Sequence, residues 1–294
     1  MLFRSGKSTL VNTLVGSKVS IVSPKVQTTR MRVIGIAMAD LESGGRAQVV
    51  LVDTPGIFRI AKRRLERAMI AAAWQGADDA DLVLVVVDAQ RGISDETRSI
   101  LDRLKESKAP RYLALNKIDL VPREKLLALT AELNALLGFE RTFMVSALKN
   151  DGVDAILATL AAALPPGPLL YPEDQAADLP LRLLAAEVTR EQVFLQLHQE
   201  LPYEAAVETE KWEERGDGSV RIEQTIHVQR EGQRAIVLGK GGTRIKEIGA
   251  RARKELGEIL ERPVHLFLHV KVSDRWADDP AHYRAIGLDY EPKG

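Results

Sequence analysis

The 294-residue chain has no cysteine, which excludes a disulfide framework and a thiolate-bound metal and removes any sign of a secreted scaffold. It has no long apolar run either. The longest, Ala68 to Trp74 and Leu82 to Val87, fall far short of the ~20 residues that a helix needs to cross a bilayer. The N-terminus lacks the charged-then-apolar pattern of a signal peptide, so a cytoplasmic location is the default expectation. Net charge is absent as well: 41 basic residues balance 41 acidic ones. Whole-chain electrostatics therefore give no reason to expect nucleic-acid binding, and any such site must come from local clustering. No internal repeat is present. What remains, 45% hydrophobic and 28% charged residues, is the composition of a globular protein. The length is enough for two domains with cores of their own.

Short motifs follow one another along the first half. Gly6, Lys7, Ser8 and Thr9 open a helical pattern. Backbone N–H groups at Gly6 can close on phosphate oxygens, Lys7 can reach the β- and γ-phosphates, and the Ser8 hydroxyl can hold Mg²⁺. The strand-like run Ala47 to Val52 ends in Asp53, Thr54, Pro55 and Gly56. There a carboxylate can hold the metal through water, and a glycine N–H can sense the γ-phosphate. Between them Gln27, Thr28, Thr29 and Arg30 offer a hydroxyl to complete the Mg²⁺ shell. The run Tyr112 to Leu115 ends in Asn116, Lys117, Ile118 and Asp119. A buried carboxylate at Asp119 can accept from guanine N1–H and the 2-amino group, a donor pair that adenine lacks. Asn116 would fix the loop and meet the base edge, and the Lys117 stem would cover the ring. A later run ends in Ser146 and Ala147, suited to a guanine O6 contact from backbone N–H. Singly, each motif is as well explained by a helix cap or a turn. Together, in this order and at strand ends, they point to a GTPase.

The phosphate-loop pattern GxxxxGK[ST] is incomplete. Its first Gly would stand at position 1, where the chain has Met1, and no strand precedes the loop. In a doubly wound fold that strand is central. Its loss leaves apolar helix faces without a partner and two strands without a neighbour. The expectation is an N-terminally truncated or mis-started sequence, unstable as written and weak in nucleotide binding.

Up to residue 164 short apolar runs alternate with helical patterns, which argues for a mostly parallel sheet covered on both faces. This is a GTP-binding domain over 1–164, with its first strand missing. Pro165, Pro166, Gly167 and Pro168 break the pattern, and 165–178 reads as a linker. Residues 179–294 then run helix, strand, strand, helix, GxxG, helix, strand, which fits an α+β KH module of the bacterial type (type II). Gly239, Lys240, Gly241 and Gly242 form the turn between helices that clamps a nucleic-acid backbone. Basic side chains crowd its flanks: Arg230, Arg234, Arg244, Lys246, Arg251, Arg253 and Lys254. Only Glu231 and Glu247 stand against them. Lys240, Arg244 and Lys246 are the side chains expected to meet RNA, and the fold implies a single strand. The plainer alternative is a glycine-rich helix cap with a solvated face.

A guanine-nucleotide domain followed by a single KH domain resembles the Era family of bacterial GTPases, from about Gly6 onward. The resemblance includes Glu200 to Tyr203, Pro263 to Leu266 and Trp276 to Asp279. It implies GTP and GDP with Mg²⁺ as ligands, 16S ribosomal RNA and the 30S subunit as partners, and a role in small-subunit assembly. It favours Thr29 over Thr28 as the metal ligand. The family is also described as peripheral on the inner membrane, which nothing in this composition shows; a monomer is expected. Relatives hold a potassium ion with an Asn where this chain has Arg4. A guanidinium cannot ligate a cation, which puts that ion in question here. Ile57 stands where Ras-like enzymes carry a water-orienting Gln, so it either simply packs or marks slow intrinsic hydrolysis. Arg59, Lys62, Arg63, Arg64 and Arg67 read as a solvated face or as contacts to ribosomal RNA phosphates. The rival function is an RNA-binding protein whose nucleotide site is dead.

Overall fold

The computed structural model describes residues 5–23, 28–57, 63–197, 201–273, 279–280, 283, 286 and 288–290. Met1 to Arg4, Gln27, Arg59, Lys62, Glu200 and Trp276 to Asp278 lie outside the described residues, as do the side chains of Pro202 and Tyr203. The chain divides into two compact units. One comprises Met1–Ser20 with Thr29–Asp178, and the other Ile21–Thr28 with Leu179–Gly294.

In the first unit, α1 (Lys7–Val15) precedes β1 (Val33–Asp40), β2 (Arg46–Asp53), α2 (Arg64–Asp78), β3 (Val83–Asp88) and α3 (Asp95–Leu104). Then come β4 (Arg111–Asn116), α4 (Arg123–Leu136), β5 (Arg141–Val145), α5 (Val153–Ala163) and the two-residue β6 (Ala177–Asp178). β3, β4 and β5 are parallel. Val87, Leu113, Leu115 and Leu133 are fully buried in the apolar layer on one face of them. Helices α1 and α5 pack Leu10, Leu14, Ile156 and Leu160 into a second layer.

The other half is antiparallel, the minority arrangement that a mostly parallel sheet leaves room for. β1 and β2 form an antiparallel hairpin, with Val33 opposite Asp53. Its turn runs through Gly44 and Gly45, whose positive φ values suit a tight reversal. The stretch expected to be a pure linker is fastened to this hairpin. Gln48 donates to Tyr171 O at 2.9 Å and accepts from the N–H groups of Leu170 and Tyr171. β6 adds to β1, antiparallel.

Among the described residues β2 bonds only to β1, and β3 only to β4. A cavity of about 410 Å³ opens where their free edges face. Val50, Val52, Val83 and Val85 line it from the two strands, Leu10 and Leu14 from α1, and Ala73 and Trp74 from α2.

The second unit runs α6 (Leu181–Gln196), β7 (Ala206–Glu214), β8 (Val220–Val228), α7 (Glu231–Leu238), α8 (Thr243–Ile259) and β9 (Val264–Val272). Its sheet has the order β7-β8-β9, antiparallel then parallel. Val193, Ile226, Val237 and Ile248 form one fully buried cluster, and Val188, Ile222 and Leu256 another.

Helix α6 carries a buried polar face as well. Arg190 pairs with Glu187 through Nε at 2.7 Å and donates through Nη2 to Thr28 O at 2.6 Å. Glu191 accepts from Val22 N–H at 2.6 Å. This face explains why 21–28, remote in sequence, groups with the second unit.

Candidate functional site

Strand β2 delivers Asp53 to its end, almost fully buried. Three hydroxyls converge on its Oδ2: Ser8 at 2.6 Å, Ser20 at 2.7 Å and Thr29 at 3.3 Å. Ser8 and Thr29 are themselves 2.9 Å apart. The sequence-predicted metal set of Ser8, Thr29 and Asp53 is therefore brought together. Ser20 is an addition that sequence reading missed. Asn12, one turn from the end of α1, holds it by accepting from the N–H groups of Val19 and Ser20. An asparagine inside a helix was the available signal.

Asp53 Oδ1 is buried without a hydrogen-bond partner among the described residues. One carboxylate and two hydroxyls are hard oxygen donors, as Mg²⁺ requires, with its remaining positions left to water and phosphate. Lys7 lies beside them. Burial pulls its ammonium below its ordinary pKa, and the Asp53 charge opposes that shift. Thr9 lies on α1 behind Ser8, while Thr54, Pro55, Gly56 and Ile57 continue from β2 as irregular chain. Ile57 packs against the apolar cluster under α2 and α3, the packing reading of that position.

Asn116 is expected from the sequence to fix the loop and to meet the base edge. It is buried, and both ends of its amide bind protein. Nδ2 donates to Ser5 O at 2.8 Å, and Oδ1 accepts from Lys117 N–H and Ala147 N–H, each at 2.9 Å. It thus ties three loops together. The Ala147 N–H, one of the backbone donors expected to suit guanine O6 at the Ser146–Ala147 exit, is used in this tie. Gly6 is fixed by the same residue. Its φ is 84°, and a Cβ there would meet Asn116 Nδ2 at 2.5 Å. Ile118 and Asp119 form a 3₁₀ turn just after Lys117. Asp119 lies 3.3 Å from Lys149 Nζ. Its carboxyl is held below the ordinary value first by the Ser146 hydroxyl and then by Lys149.

A residue absent from the sequence reading completes this region. Asp88, at the end of β3, is 4% exposed, and its Oδ2 lies 2.6 Å from Lys117 Nζ. An apolar strand ending in a carboxylate beside NKxD was the signal, but only the β3–β4 register, with Asp88 opposite Asn116, shows what it faces. Arg64 corrects another expectation: at 8% exposed it is buried and belongs to no solvated face.

In the second unit the GxxG turn joins α7 to α8. Gly239 has φ 71° and ψ 172°, and Gly241 and Gly242 also have positive φ. Arg244 departs from its predicted role. Its guanidinium donates to Gln196 O at 2.6 Å, closing the carbonyl end of α6, so it is committed to the fold. Arg234 pairs with Glu231, Arg251 with Glu247 and Lys254 with Glu258. Lys240 and Lys246 are exposed and make no ion pair among the described residues. Ile236, 54% exposed on α7, leaves an apolar side chain open one turn before the glycines.

A family model described as a 50S ribosome-binding GTPase matches residues 3–117, and a KH domain model matches 200–277. GTPase Era of Afipia carboxidovorans is 60% identical over 285 residues, covering 97% of this chain and 91% of that protein. GTPase Era of Rhizobium meliloti is 59% identical, over 97% and 90%. The crystal structure of a single-residue variant of Aquifex aeolicus Era bound to GDP·AlF₄⁻ matches with a TM-score of 0.90 at 39% identity. That match covers 96% of this chain and 95% of the other. A structure of Era with MgGDPNP and nucleotides 1506–1542 of 16S ribosomal RNA also gives 0.90 at 39%, over 97% and 95%.

Proposed function

The chain belongs to the Era family of GTPases, and on that premise we propose that it is a switch in assembly of the small ribosomal subunit. In this reading it binds and hydrolyses GTP in its first unit and holds 16S ribosomal RNA with its second. The observation that carries the nucleotide half is the meeting of Ser8, Thr29 and Asp53 oxygens beside Lys7. Residues so far apart in sequence have no other evident reason to bring hydroxyls onto Oδ2 of one buried carboxylate whose Oδ1 is left without a partner among the described residues.

Mg²⁺ would supply positive charge against the negative charge that develops on the γ-phosphate during attack by water. Ser8, Thr29 and Asp53 would hold it. Lys7 gains an anionic partner there, which offsets the cost of burying its ammonium. Asp119 selects guanine, and Asn116 keeps the loops in register. Ile57 offers no hydrogen bond to water, which predicts slow intrinsic turnover. Loss of the γ-phosphate removes what Thr29 and Gly56 sense and lets both loops relax.

For the second unit, Lys240 and Lys246 supply phosphate contacts, and Ile236 gives a base an apolar surface. The Era structure with a 16S ribosomal RNA fragment supports this assignment. A peripheral membrane role belongs to the same proposal. Among the described residues no helix is long and apolar enough to cross a membrane.

The second reading, an RNA-binding protein with an inactive nucleotide site, is favoured by the gap between β2 and β3, which Lys7 also lines. GTP against ATP binding, with Mg²⁺-dependent hydrolysis, separates the two when run beside Asp119→Ala. Selective GTP binding that the variant loses supports the switch. No binding by a folded chain supports the second reading.

A further inference from the structure

We propose that Asp88 is a positioning residue for guanine recognition, acting by holding the Lys117 ammonium. The proposal deepens the guanine-site reading above and rests on it.

The two oxygens of Asp88 have separate tasks. Oδ1 accepts from Gln90 N–H at 3.0 Å and from Arg91 N–H at 3.4 Å, which stops β3 and turns the chain. That task is local. Oδ2 faces the neighbouring strand and takes Lys117 Nζ at 2.6 Å, while Arg91 Nε lies farther off, at 3.8 Å. Lys117 occupies a position that exposes it to misplacement. Its φ is 66°, left-handed backbone in a residue with a long flexible side chain. Its N–H is held by Asn116 Oδ1, but that bond fixes the backbone alone. The ammonium at the far end is fixed by Asp88. With both ends held, the four-carbon stem between them is stretched over one path, and that stem is the part expected to cover the base. An unheld lysine distributes over many rotamers, and a ligand must order it on binding. Asp88 thus orders the lid in advance. Because its bonds go to Gln90, Arg91 and Lys117, and to none of Lys7, Ser8 or Asp53, its effect falls on binding and not on turnover.

Asp88→Asn is the matched variant. The amide keeps an oxygen for Gln90 and Arg91 and loses only the acceptor that faces Lys117. Lys117→Met keeps the stem and loses the ammonium, and it leaves β3 unaltered. Affinity for N-methylanthraniloyl-GDP is measured in the whole chain for the wild type, both single variants, the double variant and Asp119→Ala, with KM and kcat for GTP alongside. Each single variant weakens binding by roughly 10- to 100-fold, the effect of one charge-assisted bond. KM rises with it, and kcat stays within threefold. The double variant is no weaker than either single one, because both remove the same contact. Asp88→Asn or Lys117→Met binding as the wild type does would overturn the proposal. So would losses that multiply in the double variant. If the wild type and Asp119→Ala bind GDP no better than ADP, the guanine-site reading itself falls, and this one with it. If the wild type discriminates and Asp88→Asn is silent, the role of Asp88 alone falls.

Discussion

Gly239 and Gly241 stand two residues apart in one turn, yet an added methyl group should act on them differently. At Gly239 the backbone has φ 71° and ψ 172°, a region essentially reserved for glycine. A Cβ there would lie 2.7 Å from Arg244 Cβ and 3.0 Å from Arg244 N. The obstruction is the first turn of α8 itself, so no side-chain rotation relieves it. The backbone strain is worth about 1–3 kcal/mol, and forcing the two helices apart adds about 1–3 kcal/mol. Gly239→Ala therefore destabilises the α7–α8 junction by about 2–6 kcal/mol. At Gly241 the backbone is left-handed, with φ 62° and ψ 22°, and nothing lies within 4 Å of a built Cβ. Alanine there costs only about 1–2 kcal/mol of backbone strain. Hydrogen exchange read by mass spectrometry over residues 231–259 measures this locally, without assuming that the two units unfold together. At tenfold per 1.4 kcal/mol, Gly239→Ala speeds exchange across the junction by at least roughly 30-fold, and Gly241→Ala by clearly less. RNA affinity should reverse the ranking relative to stability, since the open space before Gly241 is where a nucleic-acid backbone can approach. Equal acceleration in both variants, or none in Gly239→Ala, would refute the reasoning.

Three further outcomes are expected. Arg190→Ala leaves the Glu187 carboxylate buried without its partner and frees Thr28 O, costing about 3–5 kcal/mol; denaturant unfolding of the second unit reads it, and a loss under 1 kcal/mol would show that the pair is solvated. Lys240→Ala and Lys246→Ala each reduce the salt dependence of RNA binding by about one unit of slope, whereas Arg244→Ala acts first on thermal stability, because its guanidinium holds Gln196 O. Asp119 titrates below its ordinary value of 3.8. A depressed carboxyl stabilises above the unfolded pKa and loses that contribution as pH falls through the folded one. Protection of the amides around Asp119 and Lys149, relative to their intrinsic exchange rate at each pH, should therefore be unchanged from pH 7 to 5 and fall only below about pH 4, and a fall already at pH 6 would contradict this.

Sequence alone determined those parts of this protein whose chemistry is local. A glycine before a lysine and a serine, a carboxylate at the end of an apolar run, and a two-helix turn built on glycines each carry their meaning in a few adjacent residues. Helices α3 to α8 and strands β2 to β5 and β7 to β9 were likewise legible, from apolar periodicity with turn residues between. β1 was not, because its hairpin turn at Gly44 and Gly45 sits among residues with no clear period. Tertiary structure decided what each motif faces. Asn116 reaches Ser5 across 111 positions and is committed to joining loops. Asp88 meets Lys117 only because β3 and β4 pair in one register. Arg64 and Arg244 looked like surface charge, but Arg64 is buried and Arg244 is tied to Gln196 O, far back along the chain. Ser20 joins the oxygens around Asp53 only because Asn12 bends the chain back to it. A short motif fixes which atoms a residue offers, but the partner of each atom depends on contacts between distant segments, and those exist only once the apolar faces have packed.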